Sequence, residues 1–183
     1  MKAEMFTVLD ENGIPDGKTI SRNEVHQKGL WHECIIVCVI DKNNKLLIQK
    51  RAKGKSHAGL WDLTIAGHMS AGEFPMDALF KESMEEVGVI LPRDLKVSDL
   101  KHLKTFRDSR AVREDFIENQ FVNLYVIHKD VNLKDIVLKL DEVEEVKKVS
   151  IYEMKEMAER GETHPRTQWV DIVYNYLARS AFR

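Results

Sequence analysis

Residues 67–89, GHMSAGEFPMDALFKESMEEVGV, decide the fold and the chemistry that the sequence predicts. Pro75 suits the first turn of a helix and Gly88 suits its C-terminal end, so we expect a helix of about three turns between them. At about 100° per residue, one arc of this helix is mainly apolar. It carries Met76, Leu79, Phe80, Met84 and Val87, with Ser83 as the polar exception, whereas Glu82, Glu85 and Glu86 share the opposite arc.

The three glutamates lie close together on one helix face, which is unfavourable if that face contacts only solvent. Glu82 and Glu86 are four residues apart with Glu85 between them, so like charges repel one another unless a cation lies among them. Mg²⁺ takes oxygen ligands, keeps several waters and completes its coordination with substrate phosphate. Gly67 and Gly72 let the preceding loop bend towards such an ion. The pattern therefore predicts a metal site formed by the three glutamates and the backbone of Gly67.

The spacing of residue types in this segment resembles the Nudix box. The matching positions are Gly67, Glu73, Lys81, Glu82, Glu85, Glu86, Gly88 and Val89. Two positions depart from the family pattern, because Lys81 stands where arginine is usual and Ser83 stands where an aliphatic residue is usual. Lysine can still pair with Glu73 or a metal-binding glutamate, although it lacks the bidentate fork of arginine. The resemblance implies one Nudix domain over residues 1–183, with an N-terminal extension at residues 1–30, the box at 67–89, and an α/β/α sandwich around a mixed β-sheet.

A second resemblance covers most of the N-terminal half. The stretches LDENGIPDGKTISRNEVHQKGLWH and KSHAGLWDLTIAGHMSAGE resemble the Nudix proteins related to isopentenyl-diphosphate isomerase. Those isomerases place a catalytic cysteine directly before a Gly-His pair, whereas this chain has Ala66 there. They also bind metal through two N-terminal histidines and a downstream Glu-x-Glu. Here His26 and His32 have a different spacing and residues 118–120 read Glu-Asn-Gln, so the sequence departs from the isomerase site.

Together these features predict a Mg²⁺-dependent hydrolase, with Mn²⁺ as an alternative ion, that cleaves the diphosphate bond of a small nucleoside-diphosphate-type or related substrate. Charge develops on phosphoryl oxygens during attack by water, so ions held by the glutamates stabilise the transition state and acidify the water. The general base is expected among Glu85, Glu142 and Glu145, with Glu118 behind them. Lys50 and Arg51 end a predicted strand, where basic side chains either recognise phosphate oxygens or form a solvated strand edge.

The histidines His26, His32, His57 and His68 have two interpretations. As metal ligands they would form a second site, but isolated histidines are more often surface or hydrogen-bonded structural residues, and the sequence favours that interpretation. His68 is the strongest functional candidate. Its place beside Gly67 suits contact with a substrate phosphate or orientation of the glycine loop.

Two other classes of function stay open. An isopentenyl-diphosphate isomerase-like enzyme would share the fold and the metal, but it needs an acid where Ala66 stands. A non-catalytic ligand-sensing Nudix domain is expected to have lost box glutamates, and these are intact. Within the hydrolase class, a nucleoside diphosphate, a nucleotide sugar or alcohol, a dinucleotide and a prenyl diphosphate all offer the same phosphates.

The composition of the chain limits the kinds of molecule that it is expected to bind. The chain has 183 residues, of which 43% are hydrophobic and 32% charged, as is ordinary for a globular domain. The formal net charge of −2 gives no overall attraction to nucleic acid or an anionic membrane, so we expect a small-molecule partner. The N-terminal segment MKAEMFTVLDENG lacks the apolar core of a signal peptide, and we expect a cytoplasmic location. Cys34 and Cys38 are expected to be buried thiols, and a homodimer stays open.

The rest of the chain predicts alternating strands and helices. Strands are expected at residues 5–9, 34–40, 46–49, 100–107 and 120–127 and at the end of 140–149, with turns at 10–17 and 41–45 and a charged loop at 108–118. Ser21 with Glu24, and Ser150 with Glu153, have the spacing of capping boxes. They predict helices that end near Gly29 and Gly161, and a last helix is expected at 165–179.

Overall fold

Across residues 3–86 and 95–180, which the computed structural model describes, nine strands form one mixed sheet. The strands are β1 (Met5–Leu9), β2 (Pro15–Ser21), β3 (Trp31–Ile40), β4 (Leu46–Arg51), β5 (Trp61–Leu63), β6 (Ile65–His68), β7 (Lys101–Arg113), β8 (Phe116–His128) and β9 (Val143–Val149). The helices are α1 (Arg22–Lys28), α2 (Pro75–Glu86), α3 (Ile151–Glu159) and α4 (Gln168–Ser180), with short 3-10 turns at Val97–Asp99 and Leu133–Asp135. The predicted α/β class is confirmed.

The sheet opens between β3 and β4. β3 runs parallel to β8 along its whole length, and β7 lies antiparallel beyond β8. β4 pairs with β3 only beside their connecting turn, and then with β5 and β9. The chain changes partners at Thr64, because β5 pairs with β4 whereas β6 pairs with β3. The two halves of the sheet therefore diverge at the segment that leads into Gly67.

Helices cover both faces of the sheet, which explains why the central strands are apolar on both sides. One face buries Ile36, Cys38, Leu124, Met154, Trp169 and Val173, the last three from α3 and α4. The other face buries Ile35, Val37, Val39, Ala78 and Leu79, the last two from α2. This arrangement confirms the predicted α/β/α sandwich. Cys34 and Cys38 are buried free thiols, as predicted.

The sequence signals for helix ends are confirmed where they fall in the described residues. Ser21 accepts a hydrogen bond from the backbone N–H of Glu24, and Gly29 follows α1 in the left-handed region. Ser150 and Glu153 form the reciprocal capping box of α3. Pro75 opens α2, whereas its predicted end at Gly88 lies outside the described residues, as do positions 87 and 89. Among the helices of the described ranges, none is long and apolar enough to cross a membrane.

The expected charged loop at residues 108–118 is wrong, because these residues continue β7 and β8 into one long hairpin that turns at residues 114–115. Strands tolerate these charges because the charges pair across the hairpin. Arg110 is opposite Glu118 and forms an ion pair with it, and such cross-strand pairs stabilise antiparallel strands. The turn expected at residues 10–17 is also too long, since β2 begins at Pro15.

The predicted apolar arc of α2 is partly wrong. Leu79 is fully buried as expected, but Met84 is 52% exposed. Ser83 is buried in its place, and its hydroxyl group donates to the carbonyl oxygen of Phe80 at 3.0 Å. The buried face is therefore rotated, and this rotation brings the Glu82 carboxyl group against β6.

Candidate active site

A cavity of about 470 Å³ lies at the opening between β3 and β4. Its walls come from β3 to β6, α2, the β7–β8 hairpin and the segment before α4. Most of the lining side chains are charged or polar. The carboxylates include Asp62, Glu82, Glu85, Glu118 and Glu142, and the cations include Arg51, Lys55 and Arg166. A cavity with both signs of charge suits a ligand that carries phosphate and a metal ion together.

Seven of the residues predicted for the site line this cavity: Arg51, Gly67, His68, Glu82, Glu85, Glu118 and Glu142. Lys50 and Glu145 are not among the lining residues. They lie opposite each other on β4 and β9, and Nζ of Lys50 binds Oε1 of Glu144 at 3.0 Å. Successive side chains of a strand point to opposite faces, which separates Lys50 from Arg51. Glu86 ends α2, and its side chain lies outside the described part of the chain.

Glu82 fits against β6 because residue 67 has no side chain. A β-carbon at Gly67 would overlap the carboxyl group of Glu82. Burial raises the pKa of Glu82 to about 7, although the Lys81 ammonium group acts in the opposite direction. A nearby cation would stabilise the ionised form of this carboxyl group.

Lys81 joins α2 to the glycine loop. Its Nζ donates to the carbonyl oxygen of His68 and to Oε2 of Glu73, each at 3.0 Å, and lies 3.4 Å from Oε1 of Glu82. Burial disfavours the ammonium group, but Glu73 and Glu82 outweigh this effect and the pKa of Lys81 is raised. The predicted pairing of Lys81 with Glu73 and a box glutamate is confirmed.

Three of the four candidate histidines lie together in one hydrogen-bonded cluster. Ring nitrogen atoms of His26, His32 and His68 lie within 4.8 Å of one another, and the three residues come from α1, β3 and β6. Nδ1–H of His26 donates to the carbonyl oxygen of Arg22 at 2.6 Å, and Nδ1–H of His32 to that of Leu30 at 3.0 Å. Each Nε2 then carries a lone pair. Metal-ligating histidines are oriented by such contacts of the other nitrogen.

His68 completes the histidine cluster. The side-chain amide of Gln120 donates to Nε2 of His68 at 3.0 Å, and this atom lies 3.3 Å from Nε2 of His26. Nε2 of His32 is buried and has no hydrogen-bond partner among the described residues. Burial lowers the pKa of His32 to about 4 and that of His68 well below its usual value. The cluster is therefore neutral at pH 7, the form that binds metal, and the Gln120 amide occupies the Nε2 lone pair of His68 that a metal ion would use.

The ring of Phe6 covers the histidine cluster. Phe6 stacks on His32 and His68, with ring centroids 5.2 and 5.0 Å apart. Phe6 itself is fully buried in β1. The N-terminal strand and α1 therefore contribute both a histidine and the apolar cover of the other two.

Sequence reasoning missed several polar residues of the cavity. Asp62 is 3% exposed, its carboxylate lies 3.6 Å from Nη1 of Arg51, and burial raises its pKa. An acid inside the apolar stretch LWDL was an available signal for this residue. Lys55 forms an ion pair with Glu142. Gln49 is 1% exposed, and its Oε1 has no partner within the described ranges.

The mixed sheet, its two helix layers and the glutamate-lined cavity define an α/β domain built around a candidate metal site. The NUDIX domain family matches residues 30–170, and the chain belongs to the Nudix family. Nudix proteins generally use divalent metal ions.

Relatives with two different names are similar to most of this chain. An uncharacterized Nudix hydrolase of Listeria monocytogenes is 33% identical over 163 residues, which are 88% of this chain and 89% of that protein. Isopentenyl-diphosphate Delta-isomerase 2 of Photorhabdus laumondii is 29% identical over 176 residues, or 96% of this chain and 93% of that protein. The crystal structure of DR0079 from Deinococcus radiodurans has a TM-score of 0.67 and covers 94% of this chain and 98% of its own, at 14% identity. That likeness shows the fold.

Proposed function

We propose that this protein is a Mg²⁺-dependent hydrolase, with Mn²⁺ as an alternative ion, that cleaves a phosphoanhydride bond in a small diphosphate substrate. The observation that carries this proposal is that Glu82 and Glu85 line the same cavity as Arg51. Carboxylates for a metal ion and a guanidinium group for phosphate oxygens are the two requirements of the reaction.

The residues present fit the ion. Glu82 is a buried carboxyl group whose pKa is raised by burial, next to the acidic Glu85 in the same cavity. We propose Glu82, Glu85, Glu86 and the backbone of Gly67 as the ligands. A bound divalent ion supplies Lewis-acid stabilisation of charge on the phosphoryl oxygens and lowers the pKa of water.

The chain's own side chains divide the remaining tasks. Arg51 is proposed to bind the substrate phosphates, and Asp62 behind it fixes the position of its guanidinium group. His68 is proposed to contact the substrate as well. For the general base, Glu85 and Glu142 are favoured, because both line the cavity whereas Glu145 does not. Lys55 forms an ion pair with Glu142.

A panel of diphosphates tests the proposal. Nucleoside diphosphates, nucleotide sugars, dinucleotides and a prenyl diphosphate are incubated with and without Mg²⁺, and released phosphate or monophosphate is measured. Loss of one metal-binding carboxylate is expected to lower kcat by at least about a hundredfold. The test variants are Glu82→Gln, Glu85→Gln and Glu86→Gln. Glu156→Gln makes the same chemical change on the exposed face of α3 and serves as the control. Turnover within a few-fold of wild type in all three test variants rejects the metal site.

A second candidate function, an isopentenyl-diphosphate isomerase-like activity, is favoured by the histidine cluster. His26 and His32 come together in space despite their altered spacing, and the relative from Photorhabdus laumondii is named as such an isomerase. Isomerisation needs an acid against the alkene. Ala66 has no titratable atom and Gln120 has an amide in place of a carboxylate, so we expect the hydrolase and not the isomerase. NMR of isopentenyl diphosphate incubated with the protein decides between them, since formation of the allylic isomer would reverse the assignment.

A further inference from the structure

Arg166 brings a buried cation to the cavity on the face of the sheet opposite α2. It lies just before α4, its side chain is 10% exposed, and it lines the cavity with Cys34 and Gln120. Cys34 belongs to the layer that α3 and α4 cover, whereas Glu82 belongs to α2 on the other face. One cavity therefore connects the carboxylates of the proposed metal site with the guanidinium group of Arg166.

The guanidinium plane of Arg166 is fixed by its neighbours. Nε donates to Oδ2 of Asp108 at 3.0 Å, and Nη2 donates to Oε1 of Gln120 at 2.9 Å. Nη1 lies 3.8 Å from Sγ of Cys34. A guanidinium group has five N–H donors, so two donors of Arg166 have no acceptor in the described part of the chain. A donor fork held in one orientation loses little entropy when it binds an oxygen group.

His164 lines the cavity beside Arg166. Nδ1 of His164 lies 3.2 Å from the backbone nitrogen of Arg166, and Nε2 lies 3.3 Å from Nη1 of Arg110. Burial next to these guanidinium groups holds the pKa of His164 far below its usual range, and the ring is neutral. His164 therefore adds no positive charge, and Arg166 supplies the charge at this end of the cavity.

An apolar ligand group is poorly suited to this wall. It would remove water from the free N–H groups of Arg166 and return no acceptor, which is unfavourable for a buried cation. A site built to hydrogen-bond a polar group strongly rejects analogues that lack it. A carboxylate or phosphate oxygen satisfies the donors.

We propose that Arg166 forms an anion-binding end of the cavity, and that the substrate is a diphosphate whose organic part carries an anionic oxygen group instead of a hydrocarbon chain. This inference rests on the hydrolase function proposed above for the diphosphate half of the substrate. It narrows the substrate class to molecules with two negatively charged ends.

Two matched pairs of probes test this end of the cavity. UDP-glucuronate and UDP-glucose differ by one carboxylate. Mevalonate 5-diphosphate carries a carboxylate and a hydroxyl group that isopentenyl diphosphate lacks. Binding is measured by calorimetry on the metal-free protein, and kcat/KM is measured with Mg²⁺. The charged member of at least one pair is expected to bind at least about tenfold more tightly than its partner.

The Arg166 variants assign this preference to the proposed residue. In Arg166→Gln the affinity ratio is expected to fall to about twofold or less, since the charged fork is lost. Arg166→Lys keeps a charge next to Asp108 and is expected to give an affinity ratio between those of wild type and Arg166→Gln. If Arg166→Gln shows no cooperative unfolding transition, and so is not folded, the lysine variant provides the test of Arg166. Arg179→Gln, on the exposed surface of α4, is the matched control and should keep the wild-type ratio.

The failures of the two proposals can be told apart. If no diphosphate is turned over but carboxylate-dependent binding persists in wild type and is lost in Arg166→Gln, the hydrolase is rejected and the anion-binding end stands. If diphosphates are turned over but both members of each pair bind with equal affinity and react with equal kcat/KM, the anion-binding end is rejected. An unchanged ratio in both Arg166→Gln and Arg166→Lys also rejects it.

Discussion

The carboxyl group of Glu82 fills the space in which any residue but glycine at position 67 would place its β-carbon. β6 and α2 therefore meet at a contact that has no room for an added methyl group. The position of Glu82 in the cavity depends on this contact, and so does the predicted metal site.

Gly67→Ala is expected to lower kcat/KM by at least about a hundredfold and to destabilise the protein by about 1–3 kcal/mol, because the new methyl group displaces Glu82. Thermal unfolding and turnover with Mg²⁺ measure the two effects. In a Glu82→Ala background the methyl group has room, and adding Gly67→Ala should then cost little further stability. Equal destabilisation in both backgrounds would mean that the strain at Gly67 does not come from Glu82.

The pKa of Glu82 predicts a pH dependence for the metal-free protein. Burial raises this pKa from 4.5 to about 7, so between these values the folded state holds a proton that the unfolded state has released. The stabilisation is complete below the unfolded pKa and is lost as the pH rises through the folded value. Relative to Glu82→Gln, wild type should lose on the order of 1–3 kcal/mol in its free energy of unfolding between pH 5 and pH 8.

Urea unfolding in the presence of a chelator, repeated across this pH range, measures the dependence. The buried histidines act in the opposite sense, because the lowered pKa of His32 gives stability that increases as the pH rises from about 4. The difference between wild type and Glu82→Gln removes their contribution. Parallel curves for the two proteins would contradict the prediction.

Lys81→Met is expected to raise the Mg²⁺ concentration for half-maximal activity by about tenfold, because Glu73 and Glu82 lose their shared cation and the glycine loop loses a donor to the His68 carbonyl. Lys81→Arg keeps the charge and should stay within about threefold of wild type. Titration of activity against Mg²⁺ provides the measurement. An unchanged half-saturation in Lys81→Met would make Lys81 a solvated residue without a role in the metal site.

The histidine cluster is expected to bind a divalent transition metal in addition to the ion at the glutamates. Co²⁺ titration followed by visible absorption, together with elemental analysis, should show a nitrogen-ligated ion in wild type. His32→Gln should lower its affinity by at least about tenfold. His102→Gln changes an exposed histidine of β7 and provides the control. Identical Co²⁺ spectra and affinities in wild type and His32→Gln would remove the cluster as a metal site.

The glutamate cluster could be predicted from sequence because its residues are close together in the chain. The box lies in one loop and one helix, where spacing alone fixes which side chains share a face. Glu82, Glu85, His68 and Gly67, which the sequence predicts for the site, line one cavity, and Lys81 pairs as its charge indicates. The rotation of α2 was not predictable from the apolar pattern, because a serine can be buried when its hydroxyl group donates within its own helix, as Ser83 does to Phe80.

The other parts of the cavity depend on contacts between distant segments. His26, His32 and His68 converge only when α1, β3 and β6 are assembled, and sequence spacing gives no measure of that distance. Arg166 is separated from Asp108 by 58 positions, and its partners lie in a hairpin that the charges had indicated as a loop. Lys50 and Arg51 are adjacent in sequence, yet only Arg51 reaches the cavity. Neighbouring residues of a strand point to opposite faces of the sheet. Which of the two residues faces the cavity depends on how β4 pairs with β9.

The stacking of Phe6 on His32 and His68 changes where the functional unit begins. The region shared with the family starts at residue 30, after both Phe6 and His26. A fragment cut at that boundary would retain the box glutamates but would lose one histidine and expose the other two to water. The N-terminal strand and helix are therefore best treated as part of the unit that holds the histidine cluster.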